Sequence, residues 1–202
     1  MEKIDQAVSK SLSVEIPNVR KNLGIFKHEN STYVVSEFIE GESLRNILKK
    51  ETKISVEKAL KIVLRIAKIL KYAMDEGISH GDINPSNIII SEAGKVIVNN
   101  LGIPNKVVKN TFSIVEKDGI APLHLSPELL SDENTTDHRI DIYSLGSLFY
   151  NLLANKAPVE GNSPFEVLNR VSENVPLPPL QIYNSEVQIG RAHVWTPVTA
   201  SY

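Results

Sequence analysis

Hydrophobic positions along the chain repeat with two different periods, and the longest run has the period of a helix. Between positions 55 and 77, apolar residues recur at steps of three and four, which is the spacing of one face of an α-helix. Ser55 suits the N-cap, Glu57 lies in the electropositive first turn, and Gly77 suits a left-handed ending. The pattern predicts one long helix with an apolar stripe at Ala59, Ile62, Val63, Ile66, Ile69, Leu70 and Ala73.

Shorter apolar runs that are separated by turn-forming residues predict two β-hairpins, one on each side of this helix. Residues 23–26 and 32–35 flank a polar turn, and residues 88–90 and 96–98 flank a turn that contains glycine. The second pair is apolar throughout, so we expect it to be largely buried.

Three further helices are predicted from local signals. Residues 44–50 form a short basic helix, and an apolar helix opens near Asp141 and runs to about Ala154. Ser163, Pro164 and Glu166 have the spacing of a capping box with proline at the first helical position. The irregular stretch 103–124 between these segments predicts a long loop.

Composition excludes several classes of protein. A net charge of −2 argues against a nucleic-acid-binding surface, and the absence of cysteine excludes disulfides and thiol nucleophiles. No run of about 18 apolar residues occurs, so no membrane segment is predicted within the chain. The first residues lack the apolar core of a secretory signal, and we expect a cytoplasmic location.

Residues 80–87, with the sequence HGDINPSN, interrupt this pattern of helix and strands. A glycine, a proline, an aspartate and two asparagines within eight positions favour neither helix nor strand. A polar loop that is fixed between a long helix and two apolar strands is a favourable place for chemistry.

The order of several short motifs resembles that of Hanks-type serine/threonine protein kinases, especially bacterial members. The catalytic loop is matched by His80, Asp82 and Asn87, and the D-F-G segment by Asn100-Leu-Gly. The A-P-E segment and the core helix that follows it are matched by the sequences SPE at 126–128 and DIYSLG at 141–146. Over residues 16–184 the resemblance implies an α+β kinase-like fold, with part of an N-lobe hairpin and a mainly helical C-lobe.

The resemblance also implies roles for individual residues in a site for ATP and Mg²⁺. Asp82 would orient the substrate hydroxyl and accept its proton, while Asn84 stands at the catalytic position that contacts the transferred phosphate. Asn87 and Asn100 would be the metal ligands, and Asp141 would brace the loop through its backbone N–H groups.

The nucleotide-binding residues implied by the resemblance lie in two places. Ser36 would guard the back of the adenine pocket, and Glu37 and Ile39 would offer backbone contacts to the base. Ile89 would pack beneath the adenine ring.

Several departures from the family pattern concern charges that the reaction uses. Asn100 replaces an aspartate that binds metal, Asn84 replaces a lysine, and Gly81 replaces an arginine. Ala121 replaces a threonine that braces the catalytic aspartate. We therefore expect a pseudokinase or strongly impaired kinase, which acts as a binding or regulatory module on a protein partner and binds nucleotide weakly or not at all.

Two other functions stay open at this point. The chain could be a fragment of an active ATP-dependent serine/threonine kinase, because Asp82 and Asn87 are present. It could also be a small-molecule phosphotransferase of the aminoglycoside or choline kinase type, since those loops often read H-G-D. The motifs at 126–128 and 141–146 favour the protein kinases.

The expected organisation is one partial kinase-like domain over residues 1–187. Residues 1–40 would be a remnant of the N-lobe, and residues 41–187 a C-lobe without its last helices. Residues 188–202 are expected to be a non-native tail, because they resemble a translated sequencing-library adapter in which a stop codon is read as Trp195. Bacterial relatives often carry a membrane helix after the kinase domain, so an anchor beyond the end of this chain stays open.

Overall fold

The computed structural model describes residues 14–29, 31–51, 54–103, 124–131, 137–161, 164–173 and 176–187. The strands are β1 (Asn22–His28), β2 (Ser31–Ser36), β3 (Gly41–Ser43), β4 (Ile88–Ser91) and β5 (Val96–Val98). The helices are α1 (Leu44–Lys50), α2 (Val56–Asp75), α3 (Pro127–Ser131), α4 (Arg139–Ala154) and α5 (Pro164–Ser172). Short 3₁₀ turns lie at Pro85–Asn87 and Leu180–Ile182. This arrangement is the α+β architecture that was expected.

Helix α2 confirms the prediction from periodicity. The Ser55 side chain accepts a hydrogen bond from the backbone N–H of Lys58 at 3.2 Å, and Gly77 has the left-handed φ of 65°. The buried face consists of Ala59, Ile62, Ile66, Ile69 and Ala73. It packs against α4 and β5, and together these elements form the largest hydrophobic core of the described residues.

The strands form two small antiparallel sheets. β1 pairs with β2, while β3, β4 and β5 form a second sheet in that order. The pairing of β4 with β5 confirms the second predicted hairpin, but β3 was not predicted. A Cβ atom at Gly41 would lie 2.4 Å from the carbonyl oxygen of Ile90, so the close approach of β3 to β4 requires glycine there.

The segment before β1 connects the first hairpin to the second sheet. Val19 forms a parallel bridge with Val98 of β5. The backbone N–H of Arg20 donates to the Val98 carbonyl at 2.8 Å, and the Val98 N–H donates to the Asn18 carbonyl at 2.9 Å. These bonds place the start of β1 beside the residues that follow β5.

Helix α4 begins at Arg139, two residues before the predicted start, and continues to Ala154 as expected. Ile140, Leu148 and Leu152 are almost fully buried. Ser163 of the predicted capping box lies outside the described residues, as do Ala121 and the proposed tail. Within the part of the chain that the structure describes, no helix is both long enough and apolar enough to cross a membrane.

Candidate active site

The loop at residues 80–87 lies between α2 and β4 and is braced by α4. The buried carboxylate of Asp141 accepts hydrogen bonds from the backbone N–H groups of His80 and Gly81, both at 2.8 Å. These two bonds confirm the bracing role that was predicted for Asp141. Gly81 has a φ of 75°, a left-handed conformation that glycine adopts without strain from a Cβ atom.

His80 is buried and joins the loop to the end of β5. Its Nδ1 lies 3.2 Å from the backbone nitrogen of Asp82, and its Nε2 lies 2.8 Å from the carbonyl oxygen of Asn99. Because a backbone N–H can only donate, Nδ1 is the acceptor and Nε2 carries the hydrogen that it donates. The ring therefore fixes the position of Asp82 relative to Asn99.

Both side-chain oxygens of Asp82 accept hydrogen bonds from amides. The Nδ2 of Asn84 donates to Oδ1 at 2.7 Å, and the Nδ2 of Asn87 donates to Oδ2 at 2.9 Å. Each amide also reaches the backbone carbonyl of Asp82, at 3.2 Å and 2.8 Å respectively. Asp82 is thus held by neutral groups on both sides of its carboxylate.

Asn84 owes its position to the local sequence Asn-Pro-Ser-Asn. Its Oδ1 accepts hydrogen bonds from the backbone N–H groups of Ser86 and Asn87, at 2.8 Å and 3.3 Å, and so caps the 3₁₀ turn. Pro85 occupies the first position of the turn, where its missing N–H costs nothing. A lysine at position 84 would have no oxygen to serve as this cap.

Asn100 reaches the same cluster from the residues after β5. Its Nδ2 donates to the Oδ1 of Asn87 at 2.9 Å, and the backbone N–H of Asn99 donates to the Asn87 carbonyl at 2.8 Å. The φ of Asn100 is 63°, in the left-handed region that asparagine tolerates better than most residues. The structure therefore brings together Asp82, Asn84, Asn87 and Asn100, which are the predicted catalytic and metal residues.

Burial raises the pKa of Asp82 above the usual value for an aspartate. This effect is partly offset by electrostatic interaction with His80 and by the hydrogen bonds from Asn84 and Asn87. The amides stabilise the ionised form of the carboxylate, but they do so as neutral donors and bring no positive charge.

The predicted adenine contacts at the end of β2 are already engaged with other residues. The hydroxyl of Ser36 donates to the Oδ1 of Asn22 at 2.9 Å. The backbone N–H of Glu37 donates to the Lys21 carbonyl at 3.0 Å, and its carbonyl accepts from the Nε of Arg20 at 2.6 Å. Both backbone groups of Glu37 are therefore directed towards the segment that precedes β1.

The other two predicted adenine contacts, Ile39 and Ile89, have apolar side chains, which form no hydrogen bonds. Ile39 is partly buried in the connection between β2 and β3. Ile89 lies in β4 opposite Ile97, on the face of the sheet that alternates with the fully buried Ile88. These four residues do not join the cluster around Asp82.

Arg20 was not predicted from the sequence, although it links the predicted residue Glu37 to Asn99, the neighbour of the predicted residue Asn100. Its guanidinium donates to the Glu37 carbonyl and, through Nη1, to the Oδ1 of Asn99 at 3.3 Å. A single basic residue before a strand is a weak signal, because such residues are usually solvated.

The residues around Asp82 do not fit a magnesium ion. The oxygen that Asn87 would offer to a metal faces the amide nitrogen of Asn100, which is a hydrogen-bond donor and not a ligand. Among the residues that the structure describes, no three Asp, Glu, His or Cys side chains form a metal-binding group. Magnesium is usually bound through one or two carboxylates, and in the described cluster of Asp82, Asn84, Asn87 and Asn100 the one carboxylate already accepts hydrogen bonds from two amides.

A cleft of about 390 Å³ is lined in part by Arg20 and Glu37. Its lining includes apolar residues from the segment before β1, together with Ile78 and Leu101. The charged residues that line it are Glu15, Arg20, Lys21 and Glu37. Of the predicted nucleotide-binding residues, Glu37 lines this cleft, whereas Ser36, Ile39 and Ile89 are not part of its walls.

Comparison with known proteins identifies the family. The protein kinase domain model matches residues 4–188, which extends beyond the segment that the motifs alone covered. A probable serine/threonine-protein kinase of Clostridium perfringens is 32% identical over 166 residues, which cover 82% of this chain and 24% of that protein. The serine/threonine-protein kinase PknB of Mycolicibacterium smegmatis is 32% identical over 149 residues, or 73% of this chain and 24% of its own length.

A probable PknB of Bifidobacterium longum is similar at 33% identity over 153 residues, which cover 75% of this chain and 22% of that protein. The chain therefore spans about a quarter of the length of the curated relatives that it matches. The ordered motifs, the braced loop and these matches together show that the chain belongs to the Hanks-type serine/threonine protein kinase family, with bacterial members among its relatives.

Proposed function

We propose that this protein is a kinase-fold binding or regulatory module that transfers phosphate very poorly or not at all. The observation that carries the proposal is the state of Asp82, whose two carboxylate oxygens both accept hydrogen bonds from neutral amides. Phosphoryl transfer needs positive charge to stabilise the moving phosphate, and protein kinases supply it with metal ions and lysine. At this loop the corresponding position holds Asn84, which instead ties Asp82 to the capped turn.

The relatives are named as serine/threonine-protein kinases, and a protein is therefore the partner class that we propose for this chain. ATP is the expected ligand by family, but the Glu37 backbone groups are engaged by Lys21 and Arg20. We propose that nucleotide affinity is low for this reason. The predicted domain limits at residues 1–187, the division at residue 40 and the non-native tail stay predictions.

The direct test is transfer of labelled phosphate from ATP to a general basic substrate protein, with magnesium or manganese present. Asp82→Ala is the control, and both proteins are first checked for cooperative unfolding. We expect the two proteins to give the same background signal. Transfer by the wild-type protein that the Asp82→Ala change abolishes would contradict the proposal.

An active serine/threonine kinase is the second candidate, and the support of the loop favours it. Asp141 accepts hydrogen bonds from the backbone N–H groups of His80 and Gly81, and His80 accepts one from the backbone N–H of Asp82, so the loop is braced as a working catalytic loop would require. The discriminating measurement is thermal unfolding with ATP, in the presence and absence of a divalent cation, because a ligand that binds the folded state raises its stability. Metal-dependent stabilisation by ATP would favour this candidate over the module.

A further inference from the structure

We infer that the side-chain amide of Asn100 takes the place of a cation at this loop, so that Asn87 and Asp82 stay aligned without any metal ion. This inference deepens the proposed function and rests on it, since it explains how the loop keeps its shape without the ion that a kinase needs. It makes Asn100 a positioning residue that acts through Asn87.

The orientation of each amide follows from the chemistry of its partner. An ionised carboxylate only accepts hydrogen bonds, so the Asn87 atom that lies 2.9 Å from Asp82 Oδ2 is its nitrogen. The same nitrogen also donates to the Asp82 carbonyl at 2.8 Å. Asn87 therefore presents its oxygen to Asn100, and the Asn100 atom at 2.9 Å from that oxygen is a donor.

These contacts fix the orientation of the Asn87 side-chain amide. A rotation of its amide by half a turn would place the oxygen against two acceptors of Asp82 and the nitrogen against the donor of Asn100. Asn87 is also buried, with 6% of the residue's surface exposed, so water is a poor substitute for a lost partner. A donor or a cation is needed opposite Asn87 Oδ1.

An aspartate at position 100 would present an acceptor at the same place. Two oxygens would then face each other where a nitrogen and an oxygen now form a hydrogen bond, and Asn87 could not turn away. A divalent cation between them would relieve this repulsion, because carboxylate and amide oxygens are both ligands for magnesium. The change of Asn100 to aspartate should therefore convert a closed amide cluster into a site that needs a cation.

The backbone at position 100 accommodates the change from asparagine to aspartate. Asparagine and aspartate have nearly the same shape, and both tolerate the left-handed conformation found at position 100. A matched control is Asn99→Asp, which adds the same charge one residue earlier. The Oδ1 of Asn99 accepts from Arg20, so an aspartate there keeps its partner and does not face Asn87.

The test measures thermal unfolding of the wild-type protein, Asn100→Asp and Asn99→Asp, without nucleotide. Each is titrated with magnesium or manganese chloride against sodium chloride of equal ionic strength, and with a chelator. We expect the melting temperature of the wild type to be independent of the divalent cation. We expect Asn100→Asp to melt at least about 2–4 °C lower in chelator and to recover saturably with the cation. Asn99→Asp should behave as the wild type.

Two outcomes would overturn the inference: Asn100→Asp indifferent to divalent cations, or a wild type that they stabilise equally. If Asn100→Asp fails to fold in chelator, its yield of soluble, cooperatively unfolding protein is compared with and without magnesium. Recovery with magnesium supports the inference, and failure in both conditions overturns it. The measurement contains no ATP, so phosphate transfer by the wild type would refute the proposed function separately.

Discussion

The loop has two sets of supporting contacts. In the first, which we call the rear support, the buried carboxylate of Asp141 accepts two backbone hydrogen bonds. In the second, which we call the front, the side chains of Asn84 and Asn87 donate to Asp82, and Asn100 donates to Asn87. The rear contact joins a charged group to N–H groups that have no other acceptor within the loop. The front contacts join neutral amides to one another and to a single carboxylate. The rear support therefore rests on a charged group, whereas the front contains one carboxylate and three neutral amides.

The shape of the loop and its reactivity depend on different atoms. The shape depends on backbone N–H groups and on the buried ring of His80, which links Asp82 to Asn99. Reactivity depends on side chains whose charge can change while the backbone stays in place.

The largest effect is expected when the rear support is removed. Asp141→Ala leaves the N–H groups of His80 and Gly81 without an acceptor, and each such buried donor costs about 1–3 kcal/mol. We expect the free energy of unfolding to fall by about 3 kcal/mol or more, as measured by urea denaturation. Asp75→Ala, which breaks an exposed pair with Lys71, is the control and should change stability little. Equal losses in both variants would contradict a special role for Asp141.

A pH-dependent effect is expected from His124, which contacts Ser147 of the supporting helix α4 at 2.8 Å. Burial lowers the pKa of His124 to about 4, below the ordinary histidine value of 6.5. Between about pH 6.5 and about pH 4, His124 is protonated in the unfolded chain but not in the folded state. The free energy of unfolding therefore falls as the pH drops through this range. At about 1.4 kcal/mol per pH unit, the loss approaches about 3 kcal/mol.

The variant His124→Asn keeps a polar atom near the position of Nδ1 but does not titrate in this range. Urea denaturation at several pH values should show a shallower acid slope for this variant than for the wild type. The same slope in both proteins would show that other groups cause the acid sensitivity.

An intermediate effect is expected at the front of the loop. Asn84→Ala removes both the cap of the 3₁₀ turn and the donor to Asp82, and we expect a loss of about 2 kcal/mol. Asn84→Ser retains an oxygen for the cap but cannot donate to Asp82 in the same way, so it should lose less. The comparison of their urea midpoints separates the two roles of Asn84. Identical midpoints for the two variants would mean that the cap of the 3₁₀ turn contributes nothing to stability.

The smallest effect concerns the backbone of the loop itself. Gly81 has a φ of 75° and an added Cβ would meet Ile140 at 4.0 Å, so Gly81→Ala introduces strain without a clash. We expect a loss of about 1 kcal/mol. Gly146→Ala in α4 is the control with the opposite sign, since open space surrounds that position and alanine favours helix by about 0.5–1 kcal/mol. A stabilising Gly81→Ala would contradict the assigned backbone conformation.

Local patterns predicted those elements whose hydrogen bonds stay close in sequence. Helix α2 followed from its apolar stripe and from Ser55, and the hairpin of β4 and β5 followed from two apolar runs around a short turn. Strand β3 was not predicted, because three residues next to a helix carry no periodicity of their own. Its partner β4 is distant in sequence, and only the folded chain brings Gly41 beside Ile90.

For the candidate site, too, the features that depend on residue type and order were predicted, and the contacts between distant segments were not. The sequence by itself determined the family, the loop around Asp82 and the loss of charge at positions 84 and 100, because these depend on residue type and order. Only the tertiary structure decided that Arg20 engages the Glu37 carbonyl and that Asn100 donates to Asn87. Hydrogen bonds are directional and short, so which polar groups satisfy one another is fixed only when distant segments are packed together.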